Sequence, residues 1–363
     1  MFIPNPAEQR AREVVALCRG LGFALAGVTA ASPTRRGEQL RAWLAAGKHG
    51  SMAYLAEHVE ARLDPRLVLP GARSVIMAAD FYSARGRGTD ELPPGMGRIA
   101  KYARGRDYHD AMKRRLKALC DALRGLHPGE AFRAFTDTAP VPEREYAARA
   151  GLGWVGKHTL LIHPKLGSYM LLGGVLTTMD LGESAVDAGG SPLGGPDHCG
   201  TCTRCIEACP TGAITPYSVD ASRCIAYLTI ERRRAIGAEF HAAMGDWVFG
   251  CDVCQDVCPH NSARPGMERA ELRPEYAERR AGFDLLTVLG WDESARRRAF
   301  ESSALKRATL AMMKRNVLIV IGNLIAAGRA TGEMAARVRA VAADEGEPDM
   351  VRDAAREALA RGR

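Results

Sequence analysis

The spacing of apolar residues separates a mixed N-terminal half from a helical C-terminal quarter. Between residues 1 and 190, amphipathic helical patterns alternate with short apolar runs that are typical of buried strands. The strongest helical pattern is Asp107–Leu126, in which apolar residues recur in steps of four and three along one face. Those residues are Met112, Leu116, Leu119, Leu123 and Leu126. Strands are predicted at Phe23–Thr29, Ser74–Phe81, Phe132–Phe135, Thr159–Ile162 and Tyr169–Thr177.

Residues 270–363 are helical in pattern almost throughout. Leu305–Arg329 and Gly332–Arg361 have the pattern of paired helices in α-solenoid repeats, and two such units are too few to be stable alone. We therefore expect them to pack on the rest of the chain. Glycine, proline and polar residues at 183–198 predict a linker. The fold class predicted is α+β, with three domains at residues 1–190, 191–268 and 269–363.

The composition is that of an ordinary globular protein, with 47% hydrophobic and 25% charged residues. No apolar run approaches the roughly 18 residues that a membrane-spanning helix needs. The N-terminal segment carries charges where a signal peptide would have its apolar core. We expect a cytoplasmic monomer with no membrane partner, in a reducing compartment where disulfides are rare.

Positive charge is in excess and is clustered. The chain has 50 Lys and Arg against 42 Asp and Glu, a net charge of +8. The excess concentrates at residues 101–117, at residues 296–315 and in the knot Arg232–Arg234. Clustered basic side chains indicate binding to phosphates, whereas each cluster alone could be a solvated helix face. Three clusters favour a polyanionic partner.

Eight of the ten cysteines lie in two runs between Cys199 and Cys258. The first run has the spacing C-x2-C-x2-C-x3-C-P and consists of Cys199, Cys202, Cys205 and Cys209. The second run consists of Cys224, Cys251, Cys254 and Cys258, and it also ends in C-P. This is the bacterial pattern for two iron–sulfur clusters, in which the last cysteine of a run serves the other cluster. The runs predict two 4Fe-4S clusters and one-electron transfer.

The crossover rule assigns the ligands of each cluster. Cluster 1 takes Cys199, Cys202, Cys205 and Cys258. Cluster 2 takes Cys209, Cys224, Cys251 and Cys254, with Cys224 in the corner that lacks a cysteine at the usual spacing. The alternatives are a zinc site, which would need only two CxxC pairs, or disulfides, which suit secreted chains. Cys18 and Cys120 lie outside the pattern, and we interpret them as small buried apolar residues.

A double-cluster segment transfers electrons but does not select a substrate, so we place the substrate or its cofactor in the N-terminal half. The most suggestive polar residue there is Asp137, which follows a predicted strand in the turn Thr136–Pro140. A carboxyl group at the end of a strand can face a ligand and act as a general acid. The alternative is an aspartate that only caps the turn.

Four segments and both cysteine runs resemble the epoxyqueuosine reductase family. The segments are Lys101–His109, Asp137–Pro140, Ala150–His158 and Cys224–Glu231, and the resemblance extends over about residues 10–330. It implies reduction of epoxyqueuosine to queuosine at the wobble position of tRNA, the last step of queuosine biosynthesis. It also implies a nitroreductase-like cobalamin-binding domain related to reductive dehalogenases, a ferredoxin-like double 4Fe-4S domain and a HEAT-like helical domain.

The resemblance implies a set of site residues. It makes Asp137 the proton donor to the oxygen that leaves the epoxide, while cob(I)alamin, reduced through the clusters, opens the ring. Burial in an apolar pocket is then expected to raise the pKa of Asp137. The implied cobalamin contacts are Arg62, Ala100, Lys101, Tyr102, Asp137, Lys157, His158, Leu161, Ser168, Leu172, Ala226, Cys251 and Asp252.

Cobalamin proteins can supply cobalt with a histidine from an Asp-x-His-x-x-Gly motif. Residues Asp107–Met112 match this motif except at the last position, which is methionine, and they lie in the predicted amphipathic helix. We interpret the match as coincidence. The resemblance instead implies cobalamin in the base-off form with no histidine ligand.

The implied RNA partner is the anticodon stem-loop of tRNA with a GUN anticodon, together with an unidentified electron donor. Candidate tRNA contacts are Arg232, Arg233, Lys306, Arg307, Lys314 and Arg315. Two other functions compete. A corrinoid reductive dehalogenase would usually carry an export signal and would not need a basic surface. A simple electron-transfer module would leave the N-terminal half unexplained.

Overall fold

The computed structural model describes residues 5–86, 91–182, 198–263 and 270–362. Its N-terminal elements are α1 (Pro6–Gly20), β1 (Leu25–Ala30), α2 (Gly37–Ala45), α3 (Tyr54–Glu57), α4 (Val59–Leu63), β2 (Ser74–Phe81), β3 (Met96–Ile99), α5 (Tyr108–Leu126), β4 (Phe132–Phe135), α6 (Glu143–Arg149), β5 (Trp154–Val155), β6 (Leu161–Ile162) and β7 (Met170–Thr177). The predicted linker at 183–198 lies outside the described residues except for His198, as do the predicted boundaries near residues 190 and 268.

The N-terminal half is built on an antiparallel sheet with the strand order β1-β2-β7-β4. All eight residues of β2 are buried, because helices cover both faces of this strand. Ile76 and Ala78 pack in one core with α1 and α5, while Val75 and Met77 pack in another with α6. Strand β4 is an edge strand, so the turn that follows it, which contains Asp137, lies at an edge of the sheet.

Helix α5 confirms most of its predicted apolar face. Met112, Leu116, Leu119 and Leu123 are fully buried, and each large apolar side chain removed from water contributes about 1.5–3 kcal/mol. The prediction is wrong for Leu126, which is 62% exposed because the helix ends at that residue.

The second part of the chain contains short elements followed by longer helices. They are α7 (Arg204–Glu207), β8 (Ile214–Thr215), β9 (Ser218–Val219), α8 (Ile225–Ile230), α9 (Ala238–His241), β10 (Trp247–Phe249), α10 (Val253–Asp256), β11 (Gly282–Asp284), α11 (Leu285–Leu289), α12 (Glu293–Ala299), α13 (Leu310–Ala326), α14 (Gly332–Ala343) and α15 (Asp349–Ala360). Each described helix is too short or too polar to span a lipid bilayer.

One small sheet joins the three predicted domains. Strand β3 pairs in parallel with β10 and antiparallel with β11, so each domain supplies one strand. Ile99, Phe249 and Phe283 from these strands share a core with α13 and α15. The C-terminal helices therefore pack on the rest of the chain, as predicted.

Candidate functional site

The eight clustered cysteines lie on short helices and the turns beside them. Cys205 is in α7 and Cys254 is in α10, and these two helices pack together. Cys224 is the N-cap of α8, and Cys258 begins the 3₁₀ turn Pro259–Asn261. All ten cysteines of the chain are free of disulfides, which rules out the disulfide alternative for this structure.

Electrostatic interactions among the thiols run largely within the two predicted ligand sets, with one effect of Cys205 on Cys254 across them, and the assignment of ligands stays a prediction. Burial, together with the charges of Cys199, Cys202 and Cys205, raises the pKa of Cys258 to about 11. Burial also raises the pKa of Cys251, with added effects from the charges of Cys224 and Cys209. The charge of Cys251 acts in turn on Cys254.

No three His, Cys, Asp or Glu side chains in the described ranges converge closely enough to hold a single metal ion. The spacing of the eight cysteines, with its two C-P endings, favours iron–sulfur clusters over a zinc site.

A buried polar network fixes the cysteine segment to the N-terminal half. Ser168 Oγ accepts hydrogen bonds from Gln255 Nε2 at 3.0 Å and Asn261 Nδ2 at 2.8 Å, and the Ser168 N–H donates to Asn261 Oδ1 at 2.7 Å. The Lys101 ammonium group pairs with Asp256 and Tyr169. The side chains of Lys101 and Ser168 thus bind the cysteine segment, and their contact with cobalamin stays a prediction.

Lys157 supports the first cysteine run. Its Nζ donates to the carbonyls of Gly200 at 2.6 Å and Cys202 at 3.1 Å. The prediction placed Lys157 against cobalamin, whereas its ammonium group holds the loop between two cluster cysteines. Lys157 therefore lies between the predicted cobalamin site, to which its segment was assigned, and the first cysteine run, which its ammonium group binds.

Asp137 occupies a tight turn directly after β4. Its φ of +54° is in the left-handed region, which non-glycine residues rarely adopt. The N–H of Thr138 donates to the carbonyl of Thr136 at 2.6 Å, and the N–H of Asp137 donates to Glu143 Oε1, also at 2.6 Å. The side chain of Asp137 is 61% exposed. These contacts present its carboxylate at the strand end, as predicted.

The carboxylate of Asp137 contacts His109, which the sequence analysis dismissed. His109 Nε2 lies 3.0 Å from Asp137 Oδ2, and His109 Nδ1 lies 2.8 Å from Asp107 Oδ1. Asp107 is the N-cap of α5 and also accepts a hydrogen bond from the His109 N–H at 3.1 Å. His109 is therefore clamped between two carboxylates at the start of the helix.

The clamp overturns the expected ionisation of Asp137. Burial disfavours the charged imidazole, but hydrogen bonds to Asp107 and Asp137 and their charges outweigh it and raise the pKa of His109 to about 9. The hydrogen bond from His109 lowers the pKa of Asp137. The prediction that burial raises the Asp137 pKa is wrong here, because an ion pair dominates. At neutral pH the shared proton resides on His109.

Glu143 lies beneath the Asp137 turn at the start of α6. Burial raises its pKa to about 8, against a lowering by the hydrogen bond from the Asp137 N–H. A Glu143 side chain that is neutral at pH 7 still accepts that hydrogen bond and avoids repulsion with the nearby Asp137 carboxylate.

Aromatic and charged side chains lie beside Asp137. Burial raises the pKa of Tyr102, and the charges of Asp137 and Asp252 raise it further, so the phenol lies under the influence of both. Arg307, from the C-terminal region, pairs with Glu231 through two bonds of 2.7 and 2.8 Å. Its guanidinium lies 5.6 Å from the ring centre of Tyr54. Side chains from all three predicted domains, among them Tyr102, Glu231 and Arg307, thus lie close to Asp137.

Several buried polar atoms in the described part of the chain have no hydrogen-bond partner, and two of them belong to predicted cobalamin contacts. Within the described residues, Arg62 Nε and His158 Nε2 are buried without a hydrogen-bond partner. Burial lowers the pKa of His158 to about 4, and its Nδ1 accepts from the Leu160 N–H, so Nε2 carries the proton. Cobalamin is rimmed by amide groups and carries a phosphate, which would accept such bonds. These residues fit the implied cofactor.

The remaining predicted cobalamin contacts are placed by neighbouring elements. Leu161 is buried in β6, and the Leu172 carbonyl in β7 accepts from Thr136 beside the Asp137 turn. Ala100 is buried, and Ala226 in α8 is half-buried. Asp252, next to Cys251, accepts the Lys101 N–H at 2.7 Å, and burial raises its pKa to about 6.

The predicted tRNA contacts divide into exposed and buried groups. Arg233, Lys306 and Arg307 are exposed, and Arg232 is half-buried. Lys314 and Arg315 are buried at 6% and 0% exposure, so the prediction that they contact RNA directly is wrong. Lys314 pairs with Glu347 instead. The helical pattern could not distinguish a basic surface from two buried cations.

Sequence reasoning missed His109 and Glu143. A local signal existed for His109, because an aspartate N-cap two residues before a histidine brings the two side chains together. No local signal existed for Glu143, whose contact with Asp137 depends on the turn between β4 and α6.

The fold and site define an oxidoreductase that combines an iron–sulfur segment with an acid–base site. A family model described as a 4Fe-4S double cluster binding domain matches residues 198–261. A second, described as epoxyqueuosine reductase QueG, DUF1730, matches residues 62–138.

The chain is 39% identical to the epoxyqueuosine reductase of Leadbetterella byssophila over 85% of its own length and 97% of that protein. It is 37% identical to that of Pseudomonas aeruginosa over 88% and 87% of the two lengths. The chain belongs to the epoxyqueuosine reductase family.

A solved structure supports the same family. A crystal structure of epoxyqueuosine reductase with an epoxyqueuosine-modified tRNA-Tyr stem loop matches with a TM-score of 0.84 and 25% identity. The match covers 98% of this chain and 90% of that one. The mixed α+β architecture described above is therefore that of the family.

Proposed function

We propose that this enzyme reduces epoxyqueuosine to queuosine at the wobble position of tRNA, as the last step of queuosine biosynthesis. The observation that carries the proposal is the segment Ala100–Tyr102. Its Lys101 N–H binds Asp252, next to the cluster cysteine Cys251, while Tyr102 lies under the charges of both Asp252 and Asp137. One short segment thus connects the cysteine loops with the acid–base site.

Cobalamin and two 4Fe-4S clusters are the cofactors that this site would hold. Cluster 1 would use Cys199, Cys202, Cys205 and Cys258, and cluster 2 would use Cys209, Cys224, Cys251 and Cys254. Arg62 and His158 would donate to cobalamin, which would supply a strongly reducing centre fed one electron at a time. Both ring nitrogens of His109 are engaged by carboxylates, which supports a base-off cofactor without a histidine ligand.

The protein's own residues would manage the protons. Removing the epoxide oxygen as water and forming the alkene consumes two electrons and two protons. His109 would pass its proton through the contact between His109 Nε2 and Asp137 Oδ2 to the Asp137 carboxylate, which would then protonate the departing oxygen, and solvent would supply the second proton. Because the ion pair holds its proton on His109 at neutral pH, Asp137 would act as a relay between His109 and the substrate, and its lowered pKa would not prevent that transfer.

The RNA would approach from the basic side of the site. Lys306 and Arg307 are exposed, and their charges lower the pKa of Asp107 and Asp137, respectively, among other larger causes. Phosphates bound at this side would bring a wobble base towards Asp137. Extruding a base costs a few kcal/mol in a duplex and less in an anticodon loop, where it is already unpaired.

The test is an anaerobic assay of the complete enzyme. Cluster-reconstituted protein is incubated with cobalamin, a strong reductant and tRNA that carries epoxyqueuosine, and the digested nucleosides are quantified by mass spectrometry. Cobalamin-dependent formation of queuosine is expected. If protein loaded with both cofactors forms none, the tRNA substrate is wrong and a small-molecule substrate becomes the better hypothesis.

A further inference from the structure

A buried arginine holds the backbone of residues Arg232–Arg234, which we call the basic loop, next to the site. Arg315, in α13, is fully buried, and no carboxylate pairs with it in the described part of the chain. Its Nη1 donates to the carbonyls of Arg232 and Arg234, both at 2.6 Å, and its Nη2 donates to that of Leu228 at 2.9 Å. One side chain thus fixes both ends of the basic loop Arg232–Arg234.

A buried cation without a counter-ion is costly, so its retention needs a reason. Burial, together with the charge of Arg232, lowers the pKa of Arg315 to about 9. Breaking such an arrangement is destabilising, yet replacing buried charges with apolar side chains is often neutral or stabilising. An apolar residue could fill this position in the core, whereas only a guanidinium can bind three separate carbonyls.

The neighbouring residues on α13 extend the anchor to the cluster segment. Asn316 accepts from Arg315 and donates to the carbonyls of Thr229 and Val248 at 3.0 and 2.9 Å. Thr229 Oγ1 accepts from the N–H of Gly250, which precedes Cys251. The anchor therefore fixes the basic loop relative to α8, whose N-cap is Cys224.

The anchored loop carries exposed positive charge. Arg233 and Arg234 are exposed, while Arg232 is turned back by a bond from its Nε to the Ala235 carbonyl at 2.6 Å. Glu231, at the start of the loop, pairs with Arg307, whose charge acts on Asp137. The loop is thus adjacent to the site, with its backbone fixed and two guanidinium groups facing solvent.

We propose that Arg315 is a positioning residue that holds Arg233 and Arg234 in place to bind the phosphate backbone of an RNA strand. The inference rests on the proposed function, because the RNA is its substrate. An arginine loop ordered before binding loses less conformational entropy when it meets phosphates. The buried charge of Arg315 then serves RNA affinity rather than electron transfer.

The test compares R315K with a matched control on the same helix. Arg315→Lys keeps the positive charge but loses the fork that reaches three carbonyls. The control is Asn323→Ala, since Asn323 in α13 donates to the carbonyls of His241 and Gly245 at 2.8 Å each, away from the loop. Limited trypsin digestion of the native protein, with cut sites mapped by mass spectrometry, reports how well the loop is held.

In R315K we expect faster cleavage after Arg233 and Arg234 and about tenfold weaker binding of the modified tRNA stem-loop, equivalent to about 1.4 kcal/mol. Iron and cobalamin content should match those of N323A. Unchanged cleavage would overturn the anchoring role, and faster cleavage with unchanged RNA affinity would overturn the role in binding.

A second variant separates docking from folding. R233A/R234A changes only exposed side chains and should weaken stem-loop binding and lower its dependence on salt by roughly one phosphate contact per arginine. Unchanged binding in this variant overturns the proposal even if R315K loses iron. If the wild-type protein does not bind the stem-loop at all, the proposed function fails as well, whereas a failure confined to the variants leaves that function standing.

Discussion

The cysteine segment and the Asp137 turn are both short and irregular, but they are held in different ways. In the cysteine segment, the residues that perform the chemistry are themselves the repeating pattern. The side chains of Lys157 and Asn261 support its backbone by donating hydrogen bonds to the carbonyls of Gly200 and Gln255. At the Asp137 turn, one reactive residue is positioned by side chains from two other elements, α5 and α6. The cysteine ligands are therefore defined by their spacing in the sequence, whereas Asp137 is defined by contacts with distant residues, and the two lie close together in the structure.

The largest effect is expected from a change in the cysteine pattern. Cys251→Ser should lose one cluster and all epoxide reduction, because a serine oxygen is a poor substitute for a thiolate ligand. Iron and sulfide analysis together with the nucleoside assay check this. Cys120→Ala is the matched control, since Cys120 is buried in α5 outside both runs, and it should keep full iron content. Full activity in C251S would remove Cys251 from the cluster.

The next largest effect tests the other side of the comparison. Asp137→Asn keeps the shape of the side chain but cannot deliver a proton, so turnover should fall by about 10²- to 10⁴-fold, the usual range for a general acid. Iron content and cobalamin binding should be unchanged. Near-normal turnover in D137N would exclude Asp137 as the proton donor.

The same contrast explains which parts of the site could be predicted. The cysteine ligands are encoded locally, so spacing alone identifies them. The buried strand Ser74–Phe81 and the apolar face of α5 through Leu123 are predicted by the spacing of apolar residues, because residues that pack in a core must be apolar. The position of Asp137 could also be predicted, because it follows an apolar strand and lies in a proline-containing turn.

Other features depend on distant contacts. Arg315 and Lys314 look like surface residues in a basic segment, and only the packing of α13 against α8 and α15 shows that they are buried. The ion pair between Asp137 and His109 reverses the pKa shift that was expected for Asp137. That contact joins residues 28 positions apart in the sequence.

A pH profile sharpens the comparison at His109. In His109→Gln the amide can still donate to Asp137, so the turn should stay in place, but no shared proton remains. We expect about a tenfold loss of turnover at pH 7, at the lower end of general acid–base effects. Wild-type turnover should fall as the pH rises through about 9, where His109 loses its proton, and the variant should lack this step.

The same histidine makes a prediction for stability. Its pKa is higher in the folded protein than the ordinary value of 6.5, so its contribution is fully present below that pH and is lost as the pH rises through about 9. Thermal melting of wild type and H109Q should therefore differ most at or below pH 6.5 and converge above pH 9. A difference that persists unchanged at high pH would mean that the ion pair is not its source.

The smallest effect concerns the support of the cysteine loop rather than its ligands. Lys157→Met removes two hydrogen bonds from the carbonyls of Gly200 and Cys202 while keeping most of the side-chain volume. A charged hydrogen bond contributes about 1.5–3 kcal/mol, but this lysine is only half-buried, so we expect roughly fivefold faster loss of iron to a chelator. Arg356→Met, which removes an exposed basic side chain from α15, is the control and should match the wild type. Should K157M lose turnover without losing iron faster, Lys157 would act on the cofactor side of the site, and the division between spacing and tertiary support would not hold for this residue.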